Sequence, residues 1–393
     1  MIKNSVFETD DLSNCTSCGI CAATCPKSAI QLCLDESGFY RPIINEKKCV
    51  SCGICKKYCY RFDKNIIDTV DNIYAYSAIT KDKSLLRESS SGGISEEIMK
   101  ECISQGYTII GVEYDCQSNK AYSTLCKNTT DLAKYRGSKY MQSYTLDALK
   151  IIIGNTTSKY AIFGTPCQIY ALNKYAKNIK RENLLLIDIF CHGVPSYFLW
   201  NAYINSSGTT FSNIKFRTKD YGWHNYAIKM TNSQGKTTLS KKINDPFFDL
   251  FFSKLCFNPA CYSCKLRSTF AYTDIRIGDY WGPRFNNNYT GVSAVITLSK
   301  NGENIISNIS NKILINSRNW NEIIENQSYG KTHKYDKERY DQIISNLKAN
   351  KINEAYTIYL KTLTKRQKII KSIKNIIKTL PKPLQFSLRS FFR

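Results

Sequence analysis

The chain has 393 residues, enough for two or three domains, and its 42% hydrophobic and 12% aromatic content can build a real core. No stretch approaches the ~18 consecutive apolar residues of a membrane span. The start, MIKNSVFETDDLSNC, lacks the apolar run of a signal peptide, so a cytoplasmic protein is expected. The formal charge of +23 is uneven: residues 365–393 carry Lys and Arg and no acid, so the imbalance is in good part a tail effect and gives no reason to expect nucleic-acid binding.

Residues 1–65 form a compact Cys-rich segment, in which CTSCGICAATCP and CVSCGICKKYC are two copies of one unit. Between them, IQLCLDESGFYRPIIN predicts a hairpin turning at DESG. Residues 73–79 predict a strand, 93–106 an amphipathic helix and 107–115 the next strand. KYAIFG (159–164) predicts a short buried strand, leading into a helix with Pro166 in its first turn. LLLIDIF (184–190) predicts another buried strand, followed by the loop CHGVPS and a helix. KFRTKDYGWHNYAIKMT and KTTLSK predict a β-meander, and residues 291–299 a further strand. Strands alternating with helices imply a helix-covered sheet over residues 70–335. Residues 336–393 read as a basic helical tail, its last helix stopped by Pro381-Lys382-Pro383.

Seventeen cysteines in a long chain without a secretion signal read as reduced thiols and metal ligands, not as a disulfide framework. The first motif is Cys15-x2-Cys18-x2-Cys21-x3-Cys25-Pro26 and the second Cys49-x2-Cys52-x2-Cys55-x3-Cys59. Three thiolates two residues apart can wrap one corner of a cubane, with Gly19 and Gly53 allowing the tight turns, while the fourth Cys ligates the other cluster. Two [4Fe–4S] clusters are expected: one on Cys15, Cys18, Cys21 and Cys59, the other on Cys49, Cys52, Cys55 and Cys25. Zinc knuckles are the weaker alternative, because zinc sites mix in His or space their Cys pairs farther apart. Tyr60 stands where the second motif usually has Pro, which affects packing and not ligation.

Cys33, in the hairpin, reads as a buried small residue, and Cys102, Cys116 and Cys126 as core or surface thiols. Cys167, Cys191, Cys256, Cys261 and Cys264 lie at strand ends or in loops with Gly or Pro nearby. Cys167 and Cys191 each follow a predicted buried strand, at the carboxyl edge where open α/β sheets place ligands. Four thiolates from three segments could close a third cubane; a structural zinc or simple burial are the alternatives. The fold class expected is α+β: a ferredoxin-like two-cluster domain, a mixed α/β domain and the basic helical tail.

SSSGGI (89–94), KYRGSKYMQS (134–143), FGTPCQ (163–168), CHGVPS (191–196) and CYSCKLR…DIRIGDYWG (261–282), in that order, resemble the β subunit of coenzyme F420 hydrogenase/dehydrogenase, and more closely its bacterial relatives with a fused two-cluster ferredoxin domain. The resemblance covers roughly residues 1–330. It implies a flavin, FAD or FMN, beside a third [4Fe–4S] cluster on Cys167, Cys191, Cys261 and Cys264, with Cys256 spare.

Under that resemblance, Ser90, Ser91, Gly92 and Gly93 open a helix and suit a phosphate or a flavin carbonyl; an ordinary N-cap is the plainer reading. Arg136 and Lys139 could hold the pyrophosphate, or be a solvated basic turn. Thr165 and Gln168 could hydrogen-bond the ring. His192 is the candidate proton donor, or a structural histidine. Asp279 would fix a loop near the cluster. No G-x-G-x-x-G follows a strand, so a Rossmann NAD site is not supported.

The function expected is electron transfer between a ferredoxin-type carrier or partner redox subunit and a small-molecule or glycan-precursor substrate, as in polysaccharide biosynthesis. A non-catalytic relay subunit and an F420-linked reductase are the alternatives. KIIKSIKNIIK places Ile at helical spacing opposite Lys, so the 365–393 tail could touch the inner membrane face peripherally, or pack on protein.

Overall fold

The computed structural model describes residues 2–9, 11–63, 66, 72–176 and 180–380. The boundary expected between 65 and 70, and the Pro381-Lys382-Pro383 stop with the rest of the tail to 393, lie outside the described residues.

In the N-terminal module, two short helices, α1 (Ile20–Ala23) and α2 (Ile54–Lys57), flank a hairpin of β1 (Ile30–Leu34) and β2 (Tyr40–Ile44). Gly19 and Gly53, at φ 83° and 78°, start the two helices from the left-handed region, which costs a glycine nothing. The hairpin pairs Ile30 with Ile44 and Leu32 with Pro42. Ile30 and Leu32 turn inward with Val6, Cys21, Cys55 and Leu146. The same alternation puts Gln31 and Cys33 on the water side. Cys33 is therefore exposed, not buried as its sequence setting suggested.

Residues 72–325 build the central domain. Its elements are β3 (Tyr74–Thr80), α3 (Lys83–Glu88), α4 (Ile94–Ser104), β4 (Thr108–Asp115), β5 (Lys120–Cys126), β6 (Ser143–Tyr144), α5 (Leu146–Gly154), β7 (Tyr160–Gly164), α6 (Pro166–Tyr175) and β8 (Leu184–Ile189). Then come α7 (Tyr197–Asn205), β9 (Phe211–Thr218), β10 (Ala227–Asn232), β11 (Thr237–Lys241), α8 (Pro246–Ser253), β12 (Ile275–Asp279), β13 (Ser293–Thr297), α9 (Lys300–Asn308), β14 (Ile313–Arg318) and α10 (Trp320–Glu325).

Nine strands among the described residues join one mixed sheet, ordered β14-β3-β13-β12-β8-β7-β4-β5-β6. Its centre, β4, β7, β8 and β12, is parallel. LLLIDI reads as a continuous apolar run because β8 is covered on both faces. Leu185 and Ile187 meet Ile98 and Ile305 on one side, while Leu184 and Leu186 meet Ile152, Ile169 and Leu172 on the other. Gly164 pairs with Asp188, and Ile189 with Ile277, so the chain leaves β7, β8 and β12 at one common edge.

The meander forms a separate antiparallel sheet, β11-β10-β9. It shares an aromatic core with α7 and α8, built on Trp200, Phe216, Phe247 and Phe248. The last helices are α11 (Lys337–Lys348), α12 (Ile352–Thr362) and α13 (Lys365–Thr379). Tyr340, Ile343, Leu347 and Ile352 of α11 and α12 are buried in that same core. These two helices are thus part of the central body and not a solvated tail. In α13, Ile369 and Ile376 stay exposed, while Lys371 reaches Asp249 of α8. No helix of the described residues is long and apolar enough to cross a membrane.

Candidate metal centres

The first set of thiols, Cys15, Cys18, Cys21 and Cys59, gathers between the N-terminal module and the central sheet. Burial pushes the Cys18 thiol up to about 11 and Cys59 to about 12, and raises Cys21 well above its ordinary value. After burial, the neighbouring sulfurs act on them: Cys15 on Cys18, Cys15 and Cys18 on Cys21, Cys18 on Cys59. Cys18, Cys21 and Cys59, which resist ionisation as bare thiols, become good ligands only when a metal takes the charge.

The second set, Cys25, Cys49, Cys52 and Cys55, lines one space that Pro26, Lys27, Val50 and Ser51 also line. This set is nearer water: Cys52 is exposed, Cys25 and Cys49 are half-buried, and only Cys55 is buried. Cys25 of the first motif lines this space with the second motif's thiols, and Cys59 of the second motif feels Cys18 and Cys15 of the first. Among the described residues, no group of three or more His, Cys, Asp or Glu is arranged to hold a single metal ion. Cys25, Cys49, Cys52 and Cys55 line one space together, an arrangement whose chemistry fits a polynuclear cluster.

At the carboxyl edge of the parallel strands, Cys167, Cys191, Cys261 and Cys264 line one space, with Phe190, Val194, Arg267 and Arg276. Each is placed by a different local device. Cys167 sits in the first turn of α6, where Thr165 and Gln168 form a capping box and Pro166 fits the orphan N–H position. Cys191 follows β8 directly, and Cys261 and Cys264 lie in irregular turns after α8. Burial raises the Cys167 thiol well above its ordinary value and lifts Cys191 to about 11 and Cys261 to about 12. Cys256 lines no part of this space; it is fully buried in the aromatic core.

The charge around this space suits an anionic cluster. Arg276 is buried, gripping Asp188 through Nε to Oδ1 at 2.7 Å and Nη2 to Oδ2 at 2.5 Å, and donating to Tyr272 Oη at 2.7 Å. Its guanidinium lies 4.5 Å from the Phe270 ring centroid. Arg267 donates to the Cys261 carbonyl at 2.7 Å and the Lys331 carbonyl at 2.5 Å. Both arginines favour the Cys191 thiolate. The sequence reading missed them, although CKLR puts Arg267 three residues after a thiol and DIRIGD puts a charge inside a strand.

The first and third sets adjoin. Cys18 is the first sulfur acting on Cys167, ahead of Cys191 and Cys264, and Thr16 lines the third space. Cys18 and Gln168 also border a further small space, lined by Thr145, Leu149 and Phe163.

The other candidates fall as follows. Thr165 Oγ1 lies 3.2 Å from Cys167 Sγ, and Gln168 Nε2 donates to Ser143 Oγ at 3.0 Å. His192 gives its carbonyl to His333 Nε2 at 3.2 Å, and burial pulls its imidazole down to about 4. Ser90 Oγ accepts from the Ser138 N–H at 3.1 Å, so the two glycine-containing loops meet. Ser91 Oγ donates to the Val292 carbonyl, and the Gly92 N–H to Ser293 Oγ. A Cβ on Gly92 would stand 2.3 Å from the Ala78 carbonyl, so that loop lies flat against the sheet. Gly93 starts α4 without a side-chain cap. Arg136 is held by Glu96 at 2.5 and 2.8 Å, and Lys139 Nζ reaches the carbonyls of Lys134 and Arg136.

Asp279 leaves β12 at the same edge and binds Arg217 at 2.6 and 3.0 Å and Trp223 Nε1 at 2.6 Å. Arg217 lies 4.3 Å from the Tyr226 ring centroid. Burial, with Arg217 close by, pulls Lys219 down to about 7 and Lys242 to about 8. This basin of aromatic rings and buried cations was not singled out in the sequence.

Residues 157–322 match the family defined by the C-terminal region of the coenzyme F420 hydrogenase/dehydrogenase beta subunit, and residues 8–31 match the 4Fe-4S binding domain. A chain from the F420-reducing [NiFe] hydrogenase complex of Methanosarcina barkeri aligns over 79% of this chain and 96% of its own, at 17% identity and a TM-score of 0.46. No curated protein matches the chain. With its ferredoxin-type domain the protein is an iron–sulfur redox protein of the oxidoreductase class. It is related to the β subunit of coenzyme F420 hydrogenase/dehydrogenase, whose C-terminal domain residues 157–322 carry.

Proposed function

We propose that this protein is an iron–sulfur flavoprotein that passes electrons between a one-electron protein carrier and an organic substrate, using three [4Fe–4S] clusters and one flavin. The observation that carries the reading is the gathering of Cys167, Cys191, Cys261 and Cys264 round one space, next to Cys18 of the first set. When bound, clusters exchange single electrons and a flavin can accept one or two and deliver a hydride.

The chain's own residues supply the rest. Arg267 and Arg276 offset negative charge at the third space, and Asp188 with Tyr272 holds Arg276 in place. The flavin reading is supported by the meeting of the 89–94 and 136–139 loops through Ser90 and Ser138, and by the uncapped start of α4. Thr165 touches Cys167 and Gln168 reaches Ser143, and His192 follows Cys191 in the chain. The substrate class we favour is a glycan precursor. The family relationship offers coenzyme F420 as the other.

Anaerobic purification with iron, sulfide and flavin quantitation tests this reading. About twelve irons and one flavin per chain are expected. About eight irons and no flavin would reduce the protein to a ferredoxin module on an unrelated domain, and zinc in place of iron would overturn the reading.

A further inference from the structure

The second set of thiols opens on a surface unlike the rest of the module. Pro26, Lys27, Val50 and Cys52 are exposed and line the rim or wall of its space. Val50 is 57% exposed and Ile43, on the outer face of β2, 54%. Lys47 and Lys48, just before Cys49, and Lys57, at the end of α2, are exposed. Across residues 43–57 the one acid is Glu46. Lys56 is answered by Glu8 at 2.6 Å, which leaves Lys27, Lys47, Lys48 and Lys57 against Glu46 alone, a surplus of three positive charges. A basic, partly apolar rim around a cysteine-lined opening has the charge pattern that steers an acidic protein to one orientation.

We propose that this face docks an acidic one-electron carrier protein, with Ile43 and Val50 in the dry centre of the contact and Lys27, Lys47, Lys48 and Lys57 at its edge. The inference deepens the electron-transfer reading above and rests on it. Cys25, Cys49, Cys52 and Cys55 would hold the accepting iron–sulfur cluster, which would supply one-electron chemistry: the carrier would be oxidised by one electron and the cluster reduced by one, with no bond formed or broken. The first set cannot serve this purpose, because Cys18 and Cys21 are buried and the chain around them is covered by α5 and α6.

The test uses the full-length holoprotein and a reduced, acidic two-cluster ferredoxin. Binding is measured by interferometry and electron transfer by stopped-flow bleaching. The triple variant Lys27→Glu, Lys47→Glu, Lys48→Glu should weaken the complex and slow the bleaching by about tenfold or more at low salt, and the difference should collapse at high salt. The pair Ile43→Ser, Val50→Ser should lower affinity by about fivefold in a way salt does not restore. A control with the same charge change on α13, Lys365→Glu, Arg366→Glu, Lys368→Glu, should match the parent. Unchanged binding in the first two variants, or an equal loss in the α13 control, overturns the proposal. Iron content separates the two levels: a parent chain without iron sinks the electron-transfer reading, whereas intact iron with indifferent binding sinks only the docking face.

Discussion

The two cysteine motifs share a backbone and part company in their surroundings. Ser17 and Gly19 sit at φ 59° and 83°, and Ser51 and Gly53 at 53° and 78°. In the first copy the Ser17 carbonyl accepts from Gln142 Nε2 at 3.3 Å and the Cys18 carbonyl from Thr145 Oγ1 at 2.9 Å, both donors from the central domain. In the second copy the Ser51 carbonyl accepts from Asn4 Nδ2 at 3.0 Å, a residue of the module itself. One local code thus makes two sites of different accessibility. What the copy packs against, and not its own sequence, decides whether it faces a partner or the sheet edge.

Four measurements can break or sharpen this contrast. The largest effect should come from the thiols. Cys21→Ser, deep in the first set, should cost about four irons per chain and lower the melting temperature. Cys52→Ser, at the surface of the second, should lose iron while keeping the fold's melting temperature closer to the parent's. Equal thermal losses would erase the distinction.

Next in size is Arg41→Ala. Arg41 is buried and donates to the Cys15 carbonyl at 2.5 Å, Asn258 Oδ1 at 3.2 Å and Asp35 Oδ2 at 3.0 Å. Its removal should cost about 3 kcal/mol, because it leaves buried partners unsatisfied. Denaturant unfolding checks this, and a loss below about 1 kcal/mol would show that the first copy's packing does not depend on it.

The glycines give a smaller, paired comparison. Alanine at either should cost about 1 kcal/mol for the left-handed backbone. At Gly19 the added Cβ would also stand 2.7 Å from Thr145 Oγ1 and 3.2 Å from Leu32, inside the packed face. At Gly53 it meets only the Asn4 side chain, which is exposed and can move. Gly19→Ala should therefore lose at least about 1 kcal/mol more than Gly53→Ala in the same unfolding assay. The smallest effect should be Val50→Ser, within about 0.5 kcal/mol of the parent, since the residue is exposed.

Much of this was legible in the sequence, and for identifiable reasons. The cysteine spacing carries its own geometry, so the crossed ligand sets need no tertiary information. β7 and β8 announce themselves as continuous apolar runs, because both their faces are covered. Local patterns carry no record of what lies opposite. Thr145 belongs to no motif, and nothing in KYRGSKYMQS marks Gln142 for a packing role, yet the two seat the first copy. α11 and α12 look polar because only one stripe is apolar, and that stripe, Tyr340, Ile343, Leu347 and Ile352, closes the aromatic core. Cys33 misled because apolar neighbours suggest burial, whereas strand alternation turns it outward. β5 and the edge strand β14 drew no prediction: in Lys120–Cys126 and Ile313–Arg318 the alternation between buried and more open positions is too loose to stand out.

Arg41 joins the hairpin to Cys15 in its own module and to Asn258 in the central body, across 217 residues of sequence. A ferredoxin module fastened in this way is not a tethered shuttle that swings between donor and acceptor. Its internal electron transfer should be indifferent to solvent viscosity. Added glycerol or sucrose would slow only the arrival of the outside carrier, and the clock inside the molecule would keep the same time.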